Sequence, residues 1–426
     1  MSAPLHSIDR AADMRLIPGA WLVVGLLWFV ACLNYLDRIV ITTMRDSLTA
    51  AIPMTDADFG LLTSVFLWVY GGLSPFAGFL ADRFRRSRVI IVSVLVWSIV
   101  TFLTGHAKTL NQLLVTRALM GISEACYLPA ALALITDYHR GHTRSLATGL
   151  HLSGLGVGAA LAGLGGMLAE RHDWSYVFNL FGAVGIVYSL VLTFALRDTP
   201  SLEGVTAADS HENEPVNFFM ALRSLFSRGS YFLLLGYWGM IGLAGWAVTG
   251  WMPTYFKQQF NLDQGVAGVS ATTTLQVAVL AGLVVGGLVA DHWSRFHPRG
   301  RIFCAIIGMA ASAPGIFLAA HTGSYGLAVA GVMIFGFSRA FTDCNTMPIL
   351  CLVVDPRYRA TGFGVLNLFA NLIGGITIYA GGVLRDAHVN VRLIFELGGV
   401  GMLACAVMLA FVKPAVRQSA AIGPDI

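Results

Sequence analysis

Two apolar stretches of this chain each carry a pair of ionisable residues, Asp37 with Arg38 and Arg117 with Glu124. A charge near the middle of a membrane span is costly, so such residues face a protein interior, pair with one another and mark a substrate or proton path. Arg117 and Glu124 lie seven positions apart, which is two helical turns, about 10.5 Å along the axis and one shared face. A carboxylate in low-dielectric surroundings resists ionisation and a nearby guanidinium favours it. An anion arriving on the arginine would therefore free the acid to take a proton. Arginine keeps its charge and offers a bidentate fork, the qualities of a fixed anion hook. Asp37 and Glu124 are thus candidates to carry protons, and Arg38 and Arg117 to hold a substrate carboxylate or its counter-charge. Neighbouring residues point about 100° apart on a helix, so Arg38 cannot share the direction of Asp37. The competing reading is that the four charges only neutralise one another and stiffen the amino-terminal half.

The elements that position these residues follow from composition. Charged residues are 12% of the chain, against roughly 25% in soluble domains. Apolar residues make up 56% and mean hydropathy is +0.71, too little charge to coat a water-facing surface. At about 20 residues per crossing the chain segments into an all-α membrane protein of twelve spans, expected at 18–44, 57–82, 87–106, 109–136, 144–169, 174–196, 229–257, 264–290, 301–320, 325–352, 359–384 and 390–413. An even count puts both termini on one side. The first apolar run is too long for a removable signal and is expected to remain as span one. The six cysteines fall inside expected spans without disulfide or zinc spacing, and read as small packing residues.

Basic residues cluster in the even-numbered connections: Arg83, Arg85, Arg86 and Arg88, then Arg140 and Arg144, Arg295, Arg299 and Arg301, and Arg357 and Arg359. The odd connections carry single or acid-balanced charges. The positive-inside rule then places the even connections and both termini in the cytoplasm of a cell whose inner, or plasma, membrane holds the protein. The net charge of +4 follows from these loops and implies no nucleic-acid partner.

The chain also repeats itself. Gly78-Phe79-Leu80-Ala81-Asp82 returns as Gly287-Leu288-Val289-Ala290-Asp291, and Arg144-Ser145-Leu146-Ala147-Thr148-Gly149 resembles Arg359-Ala360-Thr361-Gly362. The expected organisation is a tail (1–17), a six-helix bundle (18–197), a polar linker with one amphipathic helix (198–228), a second six-helix bundle (229–413) and a tail (414–426). Two parallel halves joined in this way are a known transporter plan with its binding site between them near mid-membrane.

Gly78-x-x-Ala81-Asp82-Arg83-x-x-Arg86 after span two and Arg117-x-x-x-Gly121 in span four resemble signatures of the major facilitator superfamily, and the resemblance covers the chain apart from its tails. Arg85 departs from it, since the family usually has glycine there. Asn34-Tyr35-Leu36-Asp37-Arg38 with Arg117 and Glu124 resembles the anion:cation symporters, proton-coupled importers of sugar acids and other organic anions. That resemblance implies protonation at Asp37 and Glu124 and substrate contact at Arg38, Arg117 and Tyr35. Asn-Tyr-x-Asp-Arg also occurs in Spinster-like lipid transporters. The resemblance further implies that Asp82, Arg83, Arg86 and the repeat-related Asp291 form a cytoplasmic gate. There Asp82 would accept hydrogen bonds from a helix N-terminus of the other half and latch the outward-open state.

Further binding candidates are Tyr70, Tyr127, His151, Trp238, Gln276, Asn345, Asn367 and Asn371. The last two are four apart on one helical face. Packing is the competing reading for each, and for His151 above all. Arg339 and Asp343, also four apart, are expected to pair within span ten, either structurally or as a charged contact from the second half. The span-five glycines Gly154, Gly156, Gly158, Gly163, Gly165 and Gly166 suit close helix approach, while Trp246 and Trp251 suit an interface belt. No P-loop, zinc spacing or nucleophile elbow supports catalysis. The expected activity is uptake of a small organic anion by alternating access, with the proton as coupling ion, no other cofactor, lipid around it and a monomeric state. The alternative is a Spinster-like or sugar-type transporter of neutral solutes or lysolipids.

Overall fold

The computed structural model describes residues 17–139, 143–198, 218–355 and 358–413, without the side chains of 78–83, Arg144, Ser145 and Ala360. The expected tails at 1–17 (apart from Ile17) and 414–426, most of the linker, and the side chains of Asp82 and Arg83 lie outside the described residues.

Twelve helices among the described residues are long and apolar enough to cross a membrane. They are Ala20–Thr43, Asp56–Ala77, Arg86–Thr104, Leu110–Tyr138, Leu146–Arg171, Trp174–Ala195, Gly229–Phe260, Gln264–Phe296, Gly300–His321, Tyr325–Val353, Thr361–Asp386 and Arg392–Phe411, here spans one to twelve. No strand occurs among the described residues. Only helices or closed barrels satisfy every backbone group inside hydrocarbon, and twelve apolar runs of this length select helices. Their outward faces carry exposed Leu, Val and Phe, such as Phe194, Leu288 and Val187, as a lipid-facing surface requires. Among the described residues between the halves there is one short helix, Phe218–Phe226.

Spans one and five pack along each other, as do three and six, nine and ten, and seven and twelve. The two halves meet along spans two and eleven and along five and eight. Glycine permits the closest of these approaches. A Cβ on Gly158 would run into the backbone carbonyl of Cys32 in span one, and one on Gly154 into the carbonyl of Trp28. Gly156 and Gly163 do the same service against Leu280 and Thr273 of span eight. Span one changes from α to 3-10 geometry at Val40–Thr43. Spans four and ten are each interrupted near their middles, at Cys126 and at Cys344 to Asn345.

The halves are clasped on the side of the odd connections. Asp386, ending span eleven, accepts the backbone N–H groups of Asp56 and Ala57 at the start of span two, both at 2.9 Å. Arg385 donates to Asp56 at 3.0 Å, and Arg45 donates to the same carboxylate at 2.8 Å. Lys257 of span seven pairs with Asp46 at 2.5 Å. Gln264 of span eight donates to Ser47 and accepts its backbone N–H. Nearer mid-membrane, Ser64 donates to the Gly375 carbonyl and Trp68 to that of Leu372.

On the even side the described gate residues bond within their own halves. Arg86 pairs with Asp137, and Asp291 with Arg301 at 2.6 Å. A carboxylate capping a helix of the other half does occur at the opposite face, where Asp386 accepts the N–H groups of span two. Trp251 also departs from expectation. It is fully buried and donates to the Ile378 carbonyl, and Trp246 packs over Gly374, because both stand where spans seven and eleven touch rather than at an interface belt.

Candidate functional site

The end of the regular helix in span one places Asp37 and Arg38 side by side inside the amino-terminal half, 1% and 3% exposed. Their directions diverge as helical geometry demands. Arg38 reaches span four and donates to Glu124 at 2.9 Å, a pair whose side chains are 4% and 0% exposed. The guanidinium lies over the rings of Tyr70, Tyr35 and Phe66, with centroids 4.3, 4.8 and 4.8 Å away. Asp37 turns to span three, where Thr101 donates to it at 3.3 Å, and its other carboxylate oxygen has no partner. Each acid leaves one carboxylate oxygen without a partner, and they differ in that Glu124 is paired with a cation and Asp37 with a hydroxyl.

Arg117 is fully buried but does not hold Glu124. It donates to the backbone carbonyls of Arg38 at 3.2 Å, Leu62 at 3.4 Å and Asp37 at 3.5 Å. The change to 3-10 geometry leaves carbonyls at the end of the helix short of donors, and a cation there also matches the negative end of the helix dipole. Arg117 consequently braces the turn that aims Asp37 and Arg38. The shared face inferred for Arg117 and Glu124 holds, but the ion-pair partner of Glu124 comes from another helix.

The other candidates separate into groups. Tyr70 precedes Gly71, whose missing side chain faces Asn371 of span eleven, so the aromatic cover of Arg38 lies beside the contact between the halves. Asn371 donates to the Asn367 carbonyl at 2.8 Å, and Asn367 donates to Ser74 of span two at 3.3 Å. This amide pair bridges the halves. Tyr127 and His151 are buried apart from the ion pair, edge to face at 5.9 Å, with the Tyr127 hydroxyl on the Leu27 carbonyl. Tyr127 is thereby satisfied, whereas both ring nitrogens of His151 are buried without a hydrogen-bond partner. Asn345 is buried at the interruption of span ten and donates to the Phe341 carbonyl. Trp238 is half-buried against Phe363, and Gln276 is half-buried in span eight.

Sequence reasoning missed Thr101, which hydrogen-bonds Asp37, Phe66, which stacks on Arg38 and Arg117, and the odd-side clasp. The acid-base balance of the odd connections was the available signal for the clasp, since Arg45-Asp46 follow span one and Arg385-Asp386 end span eleven on that side.

The geometry can keep a charge pair out of water, exchange its partner and report that exchange to the contact between halves. Residues 27–379 match the family model described as Major Facilitator Superfamily. Spinster homolog 1 of Xenopus laevis is 24% identical over 89% of this chain and 76% of its own length. A probable sulfoacetate transporter of Cupriavidus necator, SauU, is 25% identical over 92% of this chain and 93% of its own. Among solved structures, a bacterial homolog of the human lysosomal transporter Spinster, inward-facing and unoccupied, superposes with a TM-score of 0.74 at 23% identity, covering 93% of this chain and 95% of the other.

Proposed function

The chain belongs to the Major Facilitator Superfamily as a multi-pass transporter of small molecules, and on that premise we propose that it couples proton movement to uptake of a small organic anion. The observation that carries this reading is the buried Arg38–Glu124 ion pair with the under-bonded Asp37 beside it. A buried charge that loses its partner is strongly destabilised. When a carboxylate or sulfonate takes Arg38, Glu124 is left unpaired in a poor dielectric and binds a proton. When the anion leaves, Glu124 returns to Arg38 and releases it. Asp37 is the second proton site, and Arg117 keeps both in register. Tyr35 and Tyr70 cover Arg38 and must move for the exchange, and the place of Tyr70 beside the contact of spans two and eleven links that movement to the rocking of the halves. The proton is the coupling ion.

Taking the even connections as cytoplasmic, the odd-side clasp closes the outer face, so the described conformation is the cytoplasm-facing partner of an alternating-access cycle in an inner or plasma membrane. The likeness to a probable sulfoacetate transporter across nearly the whole chain supports an anionic cargo. The likeness to Spinster homolog 1 supports a second reading, a neutral or lipid-like cargo, in which the same four charges serve assembly.

Uptake into proteoliposomes separates the two. The anion reading expects sulfoacetate or D-gluconate to accumulate when protons are more concentrated outside, and D-glucose not to. Accumulation of D-glucose alone refutes the anion, and indifference to the proton gradient refutes the coupling.

A further inference from the structure

One charged pair at mid-membrane is not consumed by the machinery above. Arg339 stands fourteen residues from each end of span ten, as Glu124 does in span four. Spans four and ten occupy equivalent places in the two halves, so the carboxy-terminal half presents a cation at the depth where the amino-terminal half has its acid. At 100° per residue, Arg339 and Asp343 share a face with buried Val332, Phe335, Gly336, Thr342 and Thr346. Exposed Met333 and Ile334 occupy the far side toward lipid. Although they point inward, the two side chains remain 22% and 24% exposed, whereas those of Arg38 and Glu124 are 4% and 0%. The exposure of an inward-facing pair means that space between the halves reaches it.

The pair is also loosely made. Arg339 Nη2 lies 3.3 Å from Asp343, longer than the roughly 2.7–2.9 Å of a charge-assisted bond, and Arg339 Nε has no hydrogen-bond partner. The guanidinium rests on Gly245 of span seven, where a Cβ would come within 2.8 Å of Nη1. The long contact and the open flank of Gly245 leave the guanidinium free to change partner.

We propose that Arg339 is the anion contact supplied by the carboxy-terminal half, held by Asp343 until a carboxylate or sulfonate displaces it. This assignment rests on the organic-anion reading above. The cargo would then touch Arg38 on one half and Arg339 on the other, so that binding draws the halves together. Its class narrows to small anions, and those with two acidic groups could engage both arginines.

The test is the KM for sulfoacetate and D-gluconate in proteoliposomes, with D-glucose as the neutral probe. Arg339→Gln is expected to raise the KM of the transported anion about tenfold or more, Arg339→Lys to recover part of that loss, and Asp343→Asn to lower KM by removing the competitor. A structural pair would instead reduce the amount of protein or the maximal rate and leave KM alone. KM within twofold of wild type in Arg339→Gln overturns the assignment while the anion reading survives, whereas uptake of D-glucose alone overturns both. Should Arg339→Gln fail to assemble, unchanged KM in both Arg339→Lys and Asp343→Asn overturns it. Independently of cargo, in a chain without its native cysteines, Arg339→Cys must react with a membrane-impermeant thiol reagent far faster than Arg38→Cys. Equal protection of the two sites refutes the access on which the proposal depends.

Discussion

Asp56 is the hub of the odd-side clasp, and Asp56→Asn tests whether that clasp sets the balance between the two faces of the transporter. Its carboxylate, 15% exposed, accepts from Arg45 and from Arg385, whose side chains are 18% and 11% exposed. Only the Arg385 bond joins the two halves. Hydrogen bonds to charged groups contribute about 1.5–3 kcal/mol each, and at this partial burial about 2 kcal/mol is a fair value for the bond that crosses. At 1.36 kcal/mol per factor of ten, the ratio of odd-side-closed to odd-side-open molecules should fall about thirtyfold. Asparagine keeps the backbone N–H groups that Asp386 accepts, so the helix cap survives and the change isolates the ion pair. Spin labels at Ala50→Cys and Asn390→Cys, both exposed on the odd side in opposite halves, report the separation by pulsed electron resonance in a background without native cysteines. A second, longer distance should appear in Asp56→Asn and grow little in Arg45→Gln, which spares the crossing bond. A closed fraction that falls less than about threefold would show that apolar packing of spans two and eleven, and not the charges, holds the face shut.

Three further outcomes are expected. Glu124→Gln should abolish gradient-driven accumulation while retaining more of the counterflow exchange, and equal loss of both in paired uptake assays would assign Glu124 to folding or binding. Gly158→Ala should destabilise the protein by about 1–3 kcal/mol through overpacking, read as earlier thermal unfolding in detergent, whereas Gly149→Ala, inside the same helix with no heavy atom near its added carbon, should leave stability equal or slightly raised. Burial opposes ionisation of Asp46, yet Lys257 and Arg45 outweigh it and hold the carboxyl below the ordinary aspartate range. Such a group contributes stability that is complete above its ordinary value of about 3.9 and fades as pH falls through its lower folded value. The clasp should therefore ignore pH between about 5 and 8. An opening of the Ala50–Asn390 distance in that window that vanishes in Asp46→Asn would contradict this.

Several features were legible without coordinates because they depend on local composition. Twelve runs of apolar residues fall close to the observed spans, since crossing length and backbone satisfaction demand them. Glycines of span five predicted close approach, and Gly158 against the Cys32 carbonyl is such an approach. The intramembrane charges announced themselves because a bilayer tolerates so few. Helical spacing also placed Arg117 and Glu124 on one face and turned Arg38 away from Asp37.

Which charge meets which was decided elsewhere. Periodicity specifies the face of a helix but not the helix opposite it, so Glu124 pairs with Arg38 from span one while Arg117 goes to backbone carbonyls freed by a 3-10 turn that no residue type announced. The clasp joins Asp56 to Arg385 and Asp386, some 330 positions away, and becomes a site only when spans two and eleven lie together. Exposure likewise belongs to the assembled halves: Arg38 and Arg339 are equally charged in sequence, and packing alone buries one and leaves the other within reach of water. The sequence by itself determined a twelve-span helical membrane protein with charges at mid-depth, because hydrophobicity and helical repeat are properties of neighbouring residues. Pairing, closure and access are properties of distant residues brought into contact, and only the tertiary structure decided them.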